Sequence, residues 1–406
     1  MNVVSIRPFN TPFTSRLIRQ ISSLSLPAAS RNQPSSRLYQ RPAVGQRLFR
    51  ACNNTKATTF RAFSSSTTMG SVSKPKALLL GNIDHEQKTW EALSSVAELV
   101  TPKATNRADF ISECKSGAFD GTVAAYRTFG SVTITGMIDE ELVSALPASL
   151  KFLAHCGAGY DQVNVAACTA HGIRVANVPS IADDATADTN MFLILGALRG
   201  FNASMLNLRA GQWRGSPKLP PLGHDPEGKV LGILGMGGIG RNLKKKADAF
   251  GMKVIYHNRR KLSDELAGGA EYVSFDELLS KSDVVSLNLP LNKNTRHIIS
   301  DAQFAQMKRG AVLINTARGA VVDEAALVRA LDEGRIWSAG LDVYEEEPKI
   351  HPGLVANPHV MLLPHMGTWT FETQAAMEKW TIDNVRAAIE RGAMNCIVPE
   401  QEGESF

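Results

Sequence analysis

The sequence predicts an α/β protein with two doubly wound domains, each built on a parallel β-sheet. Short β-rich runs alternate with helical periods between residues 76 and 365, and such alternation is typical of βαβ units around a parallel sheet. The alternation falls into two separate series. The chain, at 406 residues, is also too long for one ordinary hydrophobic core.

The N-terminal segment, residues 1–69, differs from the rest in composition. It contains nine Arg and Lys56 but no Asp or Glu, together with many Ser, Thr, Pro and Asn residues. This composition is typical of a transit peptide and cannot bury enough apolar surface to fold alone. We predict a disordered presequence for import into the mitochondrial matrix, cleaved after Phe63, with Met69 as a second start for a cytosolic form. The alternative is a disordered basic arm for nucleic acid or anionic lipid.

Charge and apolar patterning narrow the function classes open to the remaining chain. Without the ten positive charges of residues 1–69, the 44 Lys and Arg residues fall to 34 against 39 acidic residues, a net charge near −5. Overall charge therefore gives no support to nucleic-acid binding. No apolar run approaches the roughly 20 residues of a membrane span. No cluster has metal-ligand spacing, and the remaining cysteines are predicted to be reduced thiols: Cys114, Cys156, Cys168 and Cys396.

The first series of elements predicts a domain over residues 70–180. Its strand candidates are KALLLG from residue 76, GTVAAY at 121–126, LKFLAH at 150–155 and IRVAN at 173–177. A short helix is predicted from Asn164 to His171, stopped by Gly172. A longer helix is predicted over 183–199, because Asp183 and Asp184 suit the positive end of a helix dipole.

The second series predicts a complete doubly wound domain over residues 181–364. Its strand candidates are KVLGILG at 229–235, KVIYHN, DVVSLNLP, AVLINTA, SAGLDVY and VMLLPH at 360–365. Helices are predicted at 238–250, 301–309 and 323–333, each followed by a Gly. The last segment, 365–406, has helical spacing at 371–391 and is predicted to return to the first domain.

A glycine-rich segment follows the first strand of the second series. Gly235, Gly237 and Gly240 have G-x-G-x-x-G spacing between a strand and a helix. In such a segment the first Gly allows a tight turn, the second admits a pyrophosphate and the third permits close packing of helix on strand. We therefore predict a dinucleotide-binding Rossmann domain, the alternative being a structural Gly-rich turn. The intervening residues complete the predicted cofactor turn: Met236, Gly238 and Ile239.

The end of the next strand predicts which dinucleotide binds. An NAD enzyme is expected to place Asp or Glu there, against the ribose 2′-hydroxyl. This sequence has Asn258, Arg259 and Arg260 instead. Two guanidiniums can donate forked hydrogen bonds to a 2′-phosphate. The sequence thus favours NADPH over NADH, with a solvated basic turn as the alternative.

Three further segments place a functional side chain just beyond a predicted strand: NTARGAVVDE at 315–324, GLDVYEEEP at 340–348 and LLPHMGT at 362–368. The carboxyl ends of parallel strands share one edge of a sheet, where ligands bind. Arg318, Glu347 and His365 are therefore predicted to converge from different loops. Taken singly, Arg318 would more often be a surface ion-pair partner and His365 a loop residue.

Together with HCGAGYDQVN at 155–164 and ANVPSIADDATADT at 176–189, these segments resemble the D-2-hydroxyacid dehydrogenase family over residues 76–399. YHNRR, LPHMGT and IVPE are most similar to the fungal glyoxylate reductases of that family. The resemblance implies a flavodoxin-like substrate domain, a Rossmann cofactor domain, and reduction of a small 2-oxo acid, glyoxylate or hydroxypyruvate, by NADPH. It also implies a homodimer formed through the cofactor domain, with RAGQW at 209–213 in the relevant region.

The resemblance also assigns roles to single residues. Arg318 would hold the substrate carboxylate and polarise the carbonyl, His365 would donate the proton, and Glu347 would orient His365 and favour its protonated form. Amides of Ala158 and Gly159 would complete the carboxylate site. The further candidates are Arg127 for substrate; Asp342, Pro290, Thr295, Thr316, Ala317 and Gly367 for cofactor; and Ile181, Trp369 and Phe371 for the pocket wall.

Two rival interpretations stay open at this point. The chain could be a different 2-hydroxyacid dehydrogenase, such as a 3-phosphoglycerate or formate dehydrogenase, although few residues follow His365 for an appended regulatory domain. It could instead be a non-enzymatic dinucleotide-sensing scaffold, as corepressors of this family illustrate. Such scaffolds can retain all three catalytic residues.

Overall fold

The structure, a computed structural model, describes residues 74–214, 221–404 and 406. The predicted presequence at 1–69 lies outside the described residues. Two parallel β-sheets belong to one compact unit of the chain. They confirm the predicted fold class of two doubly wound parallel-sheet domains.

The first sheet has five parallel strands in the order β2-β1-β3-β4-β5, which is the flavodoxin-like order. The strands are β1 (Lys76–Leu80), β2 (Glu98–Val100), β3 (Thr122–Thr128), β4 (Phe152–Cys156) and β5 (Arg174–Ala176). Strand β2 is absent from the sequence prediction because its three residues, Glu-Leu-Val, form neither an alternating pattern nor an apolar run.

Short helices connect these strands: α1 (Gln87–Glu91), α2 (Arg107–Lys115), α3 (Val132–Thr135), α4 (Glu140–Ala145) and α5 (Val165–Ala170). The side chains of Asn106, Asp139 and Asn164 accept a backbone amide in the first turn of α2, α4 and α5. Such N-caps satisfy amides that have no partner within the helix. The helix predicted over 164–171 is therefore observed as α5, and Gly172 follows it at a φ of +71°.

The second sheet has seven parallel strands in the order β12-β11-β10-β9-β6-β7-β8. The strands are β6 (Val230–Leu234), β7 (Lys253–His257), β8 (Glu271–Tyr272), β9 (Val284–Leu287), β10 (Ala311–Asn315), β11 (Ile336–Leu341) and β12 (Met361–Leu362). The order reverses between β6 and β9, and ligands of doubly wound sheets bind at such a switch point. Every residue of β9 and β10 is buried, as expected for a sheet covered on both faces.

Helices cover both faces of the second sheet: α6 (Asp183–Arg199), α7 (Phe201–Arg209), α8 (Gly238–Ala249), α9 (Asp264–Ala267), α10 (Phe275–Lys281), α11 (Asp301–Gln306), α12 (Glu324–Asp332) and α13 (Pro352–Ala356). Helices α6 and α8 share one hydrophobic core, and α10, α11 and α12 line another. By length and composition, no single described helix could cross a membrane; α6 and α7 pass that test only as a pair, which is bent by 72°.

The last helix, α14 (Phe371–Arg391), packs on β3 and β4 of the first sheet. Its Ile382 and Val385 are fully buried in the core that contains Tyr126. Helix α6, by contrast, follows the first domain in sequence but packs on β10 and β11. The chain therefore crosses between the two sheets twice, once before α6 and once before α14.

Candidate active site

Loops at the carboxyl ends of neighbouring strands carry the three predicted catalytic side chains. Arg318 lies three residues after β10, Glu347 six residues after β11, and His365 three residues after β12. These strands are adjacent in the order β12-β11-β10, so their loops leave one edge of the sheet side by side. The structure brings the three side chains to the same cleft.

Glu347 and His365 form a direct hydrogen-bonded pair. The distance from His365 Nδ1 to Glu347 Oε2 is 2.9 Å, and the other carboxylate oxygen accepts the Tyr344 amide at 3.0 Å. Burial raises the pKa of Glu347, but the bond from His365, the positive charges of His365 and Arg318 and the Tyr344 amide together bring that pKa below its ordinary value. Glu347 is thus a charged acceptor, and His365 Nε2 has no partner among the described residues.

The backbone of His365 lies in the left-handed region, with φ at +58°. A non-glycine residue in this region costs about 1–3 kcal/mol unless its surroundings hold it. Asp342 supplies this support: its carbonyl accepts the His365 amide at 2.8 Å, and its carboxylate accepts the amides of Met366 at 2.6 Å and Gly367 at 2.8 Å. Burial raises the pKa of Asp342, and these amides only partly offset it. Asp342, predicted as a nicotinamide contact, anchors the His365 loop here.

Arg318 is held by contacts on two sides. Its Nε donates to Asp161 Oδ1 at 2.7 Å, and its Nη1 donates to the Ala317 carbonyl at 2.7 Å. Asp161 belongs to the first domain, so the ion pair crosses the cleft. Asp161 was not predicted from the sequence, although an acidic residue two positions after a Gly-rich turn is a signal that the sequence contains.

The turn at residues 157–159 comes very close to Arg318. A Cβ atom added to Gly159 would overlap Arg318 Nη2, so only Gly permits this approach. Side chains hold two carbonyls of the turn: Asn177 Nδ2 donates to Ala158 O at 2.8 Å, and His155 Nε2 donates to Gly159 O at 3.0 Å. The amides of Ala158 and Gly159 donate to no acceptor in the described part of the chain. They remain available to an anion.

Arg127 lies beneath this turn and is 0% exposed. Its Nη1 donates to His155 Nδ1 at 3.0 Å and its Nη2 to Gln162 Oε1 at 2.7 Å, while its Nε is buried without a partner. Burial lowers the pKa of Arg127 to about 10. Burial, followed by the charge of Arg127, lowers the pKa of His155 to about 3, so His155 is neutral. Direct contact of Arg127 with substrate stays a prediction; the observed contacts support the turn.

Phe129 contacts two of the predicted catalytic side chains, Arg318 and His365, and was not predicted from the sequence. Its ring centroid lies 5.4 Å from the His365 ring centroid and 5.9 Å from Arg318 Cζ. It comes from the first domain, directly after β3. No motif in the sequence marks it, because the contact exists only when the two domains are assembled.

The glycine-rich turn between β6 and α8 has the geometry that a dinucleotide requires. Gly235 has a φ of +96°, and a Cβ on Gly240 would lie 2.7 Å from the Gly235 carbonyl. A Cβ on Gly237 would meet nothing within 4 Å, so that position faces open space. Helix α8 begins without a side-chain cap, which leaves its first amides available to a pyrophosphate. The residues present therefore fit a dinucleotide.

The other predicted cofactor residues lie along the same edge of the second sheet. Asn258 Oδ1 accepts the Met236 amide at 2.7 Å, so this side chain supports the glycine-rich turn. Arg259 and Arg260 are exposed. The remaining candidates are tied to the loops after β9, β10 and β12: Thr295 Oγ1 donates to Pro290 O at 2.7 Å, Thr316 Oγ1 accepts from Asn190 at 2.6 Å, the Ala317 amide donates to Asn315 at 3.0 Å, and Gly367 bonds Asp342.

Metal and disulfide chemistry have no visible site in the described ranges. No group of three or more His, Cys, Asp or Glu residues there could hold a metal ion. None of the four described cysteines forms a disulfide, and burial raises the pKa of Cys114 to about 11.

Comparison with known proteins places this site in a family. A family model described as the NAD binding domain of D-isomer specific 2-hydroxyacid dehydrogenases matches residues 191–367. The chain is 55% identical to 4-methyl-2-oxopentanoate reductase A of Aspergillus oryzae, over 81% of this chain and 99% of the relative. It is 45% identical to glyoxylate reductase 1 of Saccharomyces cerevisiae, over 82% of this chain and 97% of the relative.

A solved structure agrees with these relatives. The crystal structure of a glyoxylate reductase from Paecilomyes thermophila matches with a TM-score of 0.79 and 53% identity, covering 81% of this chain and 99% of that one. The predicted family resemblance is confirmed, and so is the prediction of an enzyme that uses a nicotinamide dinucleotide. The chain belongs to the D-isomer specific 2-hydroxyacid dehydrogenase family and is an NAD(P)-dependent oxidoreductase.

Proposed function

We propose that this protein reduces glyoxylate to glycolate with NADPH and accepts hydroxypyruvate as a second substrate. The observation that carries the proposal is the meeting of Arg318, the Glu347 and His365 pair and the turn at 157–159 in one cleft. A 2-oxo acid carries a carboxylate beside an electrophilic carbonyl. Its reduction therefore needs an anion clamp, a hydride source and a proton source.

The chain's own residues supply the clamp and the proton. The amides of Ala158 and Gly159 bind the substrate carboxylate with the remaining N–H groups of Arg318, which also polarise the carbonyl oxygen. His365 Nε2 delivers a proton to that oxygen as it becomes a hydroxyl, while Glu347 stabilises the imidazolium. When NADPH is bound at the glycine-rich turn, it supplies the hydride.

The substrate assignment is tested by steady-state kinetics on the purified protein, following NADPH absorbance with glyoxylate, hydroxypyruvate and 4-methyl-2-oxopentanoate. The relatives are named for both small and branched substrates, so likeness alone does not choose between them. We expect the highest kcat/KM with glyoxylate. A higher kcat/KM with 4-methyl-2-oxopentanoate would overturn the assignment, and His365→Gln should lower kcat about 100-fold or more with any substrate.

The preference for NADPH rests on Arg259 and Arg260, which are exposed at the end of β7 where an NAD enzyme would carry an acid. Replacing both with Ala removes charge-assisted bonds to the 2′-phosphate, so KM for NADPH should rise about tenfold or more while KM for NADH stays unchanged. Lys253→Ala, at the opposite end of the same strand, is the control. An equal rise in KM for NADH would show that Arg259 and Arg260 do not recognise the 2′-phosphate.

We also propose import into the mitochondrial matrix, supported by the acid-free, Arg-rich composition of residues 1–69. The test is microscopy of two C-terminal fluorescent fusions, one carrying the full chain and one starting at Met69. We expect a mitochondrial signal from the first and a cytosolic signal from the second. A cytosolic signal from both would reject the presequence.

A homodimer formed through the cofactor domain is the proposed assembly. Large apolar side chains are exposed on α7 and just after it, including Leu206 at 48%, Leu208 at 56% and Trp213 at 75%. Exposed apolar patches of this kind mark protein interfaces. Light scattering should give twice the chain mass for the wild type and a smaller mass for Leu208→Glu. A monomeric wild type would contradict the proposal.

A further inference from the structure

We propose that Phe129 sets the upper size limit of the substrate by occupying the space that a larger substituent on the carbonyl carbon would need. The inference rests on the proposed 2-oxo acid reductase function and names a residue that limits its substrate range. The Phe129 ring, from the first domain, contacts two proposed catalytic groups from the second. Its centroid lies 5.4 Å from the His365 ring centroid and 5.9 Å from Arg318 Cζ.

The position of the ring follows from what the reaction needs. The carbonyl oxygen must reach both the Arg318 fork and His365 Nε2, while the carboxylate lies on the turn at 157–159. The one remaining substituent is a hydrogen in glyoxylate, a hydroxymethyl group in hydroxypyruvate and a branched four-carbon chain in 4-methyl-2-oxopentanoate. The Phe129 ring lies beside both groups that hold the carbonyl, and we therefore place this substituent against the ring. A hydrogen fits there, whereas a branched chain must displace the ring.

Several contacts hold the backbone next to Phe129, so moving its ring away from the substrate would cost free energy. Phe129 directly follows Thr128, which pairs with Cys156 at the end of β4. The Ser131 hydroxyl donates to the Thr128 carbonyl at 2.8 Å, and Ser131 is 1% exposed. A Cβ on Gly81 would overlap the Thr128 side chain, so the neighbouring loop also presses on this strand end. A side chain on such a backbone discriminates between substrates by size, because a larger substrate would strain the packed residues around it.

Two of the other wall candidates, Trp369 and Phe371, are poorly placed for this role. Trp369 is 66% exposed and Phe371 is 75% exposed, and the Phe371 ring packs on His85 with centroids 4.9 Å apart. Neither ring stacks on His365 or lies over the Arg318 guanidinium in the described structure. Phe371 therefore offers a matched comparison: another Phe, without these ring contacts, removed by the same substitution.

The experiment compares wild type, Phe129→Ala, Phe129→Leu and Phe371→Ala with saturating NADPH. The measured quantity is the ratio of kcat/KM for 4-methyl-2-oxopentanoate to kcat/KM for glyoxylate. We expect Phe129→Ala to raise this ratio at least tenfold, because the wall is removed. Phe129→Leu keeps most of the volume and should change the ratio much less, and Phe371→Ala should leave it within about twofold of wild type.

A binding measurement separates size exclusion from damage to catalysis. Calorimetry with glycolate and 2-hydroxy-4-methylpentanoate should show Phe129→Ala gaining affinity for the larger acid, whatever its turnover. An unchanged kinetic ratio and unchanged affinities in Phe129→Ala, or an equal change in Phe371→Ala, would overturn the inference while leaving an active wild type as a reductase. A wild type inactive with every 2-oxo acid would overturn the proposed function and this inference together.

Discussion

At the scale of single residues, the charge of Glu347 decides how the site responds to pH. Folding lowers the pKa of Glu347, so its carboxylate stays charged from neutral pH downward until the pH falls through that lowered pKa. As the proposed proton donor, His365 must carry a proton when the carbonyl oxygen is reduced. Glu347→Gln keeps a hydrogen-bond acceptor but removes the charge that favours the imidazolium. The alkaline limb of the kcat/KM profile for glyoxylate should therefore move to lower pH by about one unit.

Glu346→Gln is the matched control for this variant, because Glu346 is the adjacent exposed glutamate and makes no side-chain bond in the described residues. Its pH profile should overlay that of the wild type. If Glu347→Gln also retained the wild-type alkaline limb, the carboxylate would have only an orienting role.

Arg127 gives a second prediction at this scale. Lys cannot reproduce the fork that binds His155 and Gln162 together, so Arg127→Lys leaves a buried acceptor unsatisfied. We expect a loss of about 1–3 kcal/mol in the free energy of unfolding, measured with urea, and a raised KM for glyoxylate with little change in kcat. Arg309 is an exposed Arg in the turn before β10, and Arg309→Lys should change neither quantity. An unchanged KM in Arg127→Lys would mean that the turn does not depend on Arg127.

At this scale, the site residues that follow strand ends could be predicted from the sequence. The residues that contact them from the other side of the cleft could not. Arg318, Glu347 and His365 could be predicted to converge because parallel strands share one carboxyl edge. Asp161 and Phe129 could not, because their contacts with Arg318 depend on how two separately folded sheets meet. The periodicity of the strands does not indicate how the two domains pack against each other.

At the scale of elements, the glycine-rich turn before α8 contains one glycine that cofactor binding requires and another that folding requires. A Cβ at Gly237 meets nothing within 4 Å, whereas one at Gly240 lies 2.7 Å from the Gly235 carbonyl. Gly237→Ala should therefore keep the unfolding free energy within about 0.5 kcal/mol of wild type but weaken NADPH binding about tenfold or more, because the methyl group occupies pyrophosphate space.

Gly240→Ala tests the opposite case at the same turn. The added methyl group collides with backbone, so we expect a loss of about 1–3 kcal/mol in stability without cofactor. Urea denaturation and fluorescence titration with NADPH measure both quantities in both variants. Equal losses of stability in the two variants would contradict the separate roles assigned to these glycines.

The elements themselves were predicted where a local signal was strong. Helix α14 has the predicted bounds 371–391, with Thr370 as its N-cap and Gly392 at a φ of +64° after its end. Strands β2 and β8 were missed because three and two residues are too few to show a period. Both are edge strands that pair with only one neighbour, so tertiary contacts define them.

At the scale of the whole molecule, two chain crossings join the domains, and the ion pair between Asp161 and Arg318 spans the cleft between them. Glu378 on α14 is 5% exposed and accepts the amides of Asp84, His85 and Glu86 at 2.9, 2.8 and 2.8 Å. The last helix thereby fixes the loop after β1 within the first domain. We expect the two chain crossings, before α6 and before α14, to restrict movement between the domains to a hinge. Such a hinge would close the cleft over the substrate.

The ion pair between Asp161 and Arg318 is the bridge at the centre of that cleft, with side chains 22% and 20% exposed. Two effects of Asp161→Asn oppose each other. Losing the carboxylate removes a negative charge near a substrate anion, but it also weakens the 2.7 Å bond that fixes the guanidinium plane. Asp161 binds Nε, whereas Nη2 faces the turn, so we expect positioning to dominate and kcat/KM for glyoxylate to fall about tenfold.

The control is Asp301→Asn, which removes the same charge from the exposed pair of Asp301 on α11 with Arg329 on α12 and should leave kcat/KM unchanged. Ionic strength separates the two effects further, because a long-range repulsion is screened by salt and a fixed hydrogen-bond geometry is not. A deficit in Asp161→Asn that persists from low to high salt supports positioning. A gain in kcat/KM that disappears at high salt would show instead that Asp161 mainly repels the substrate.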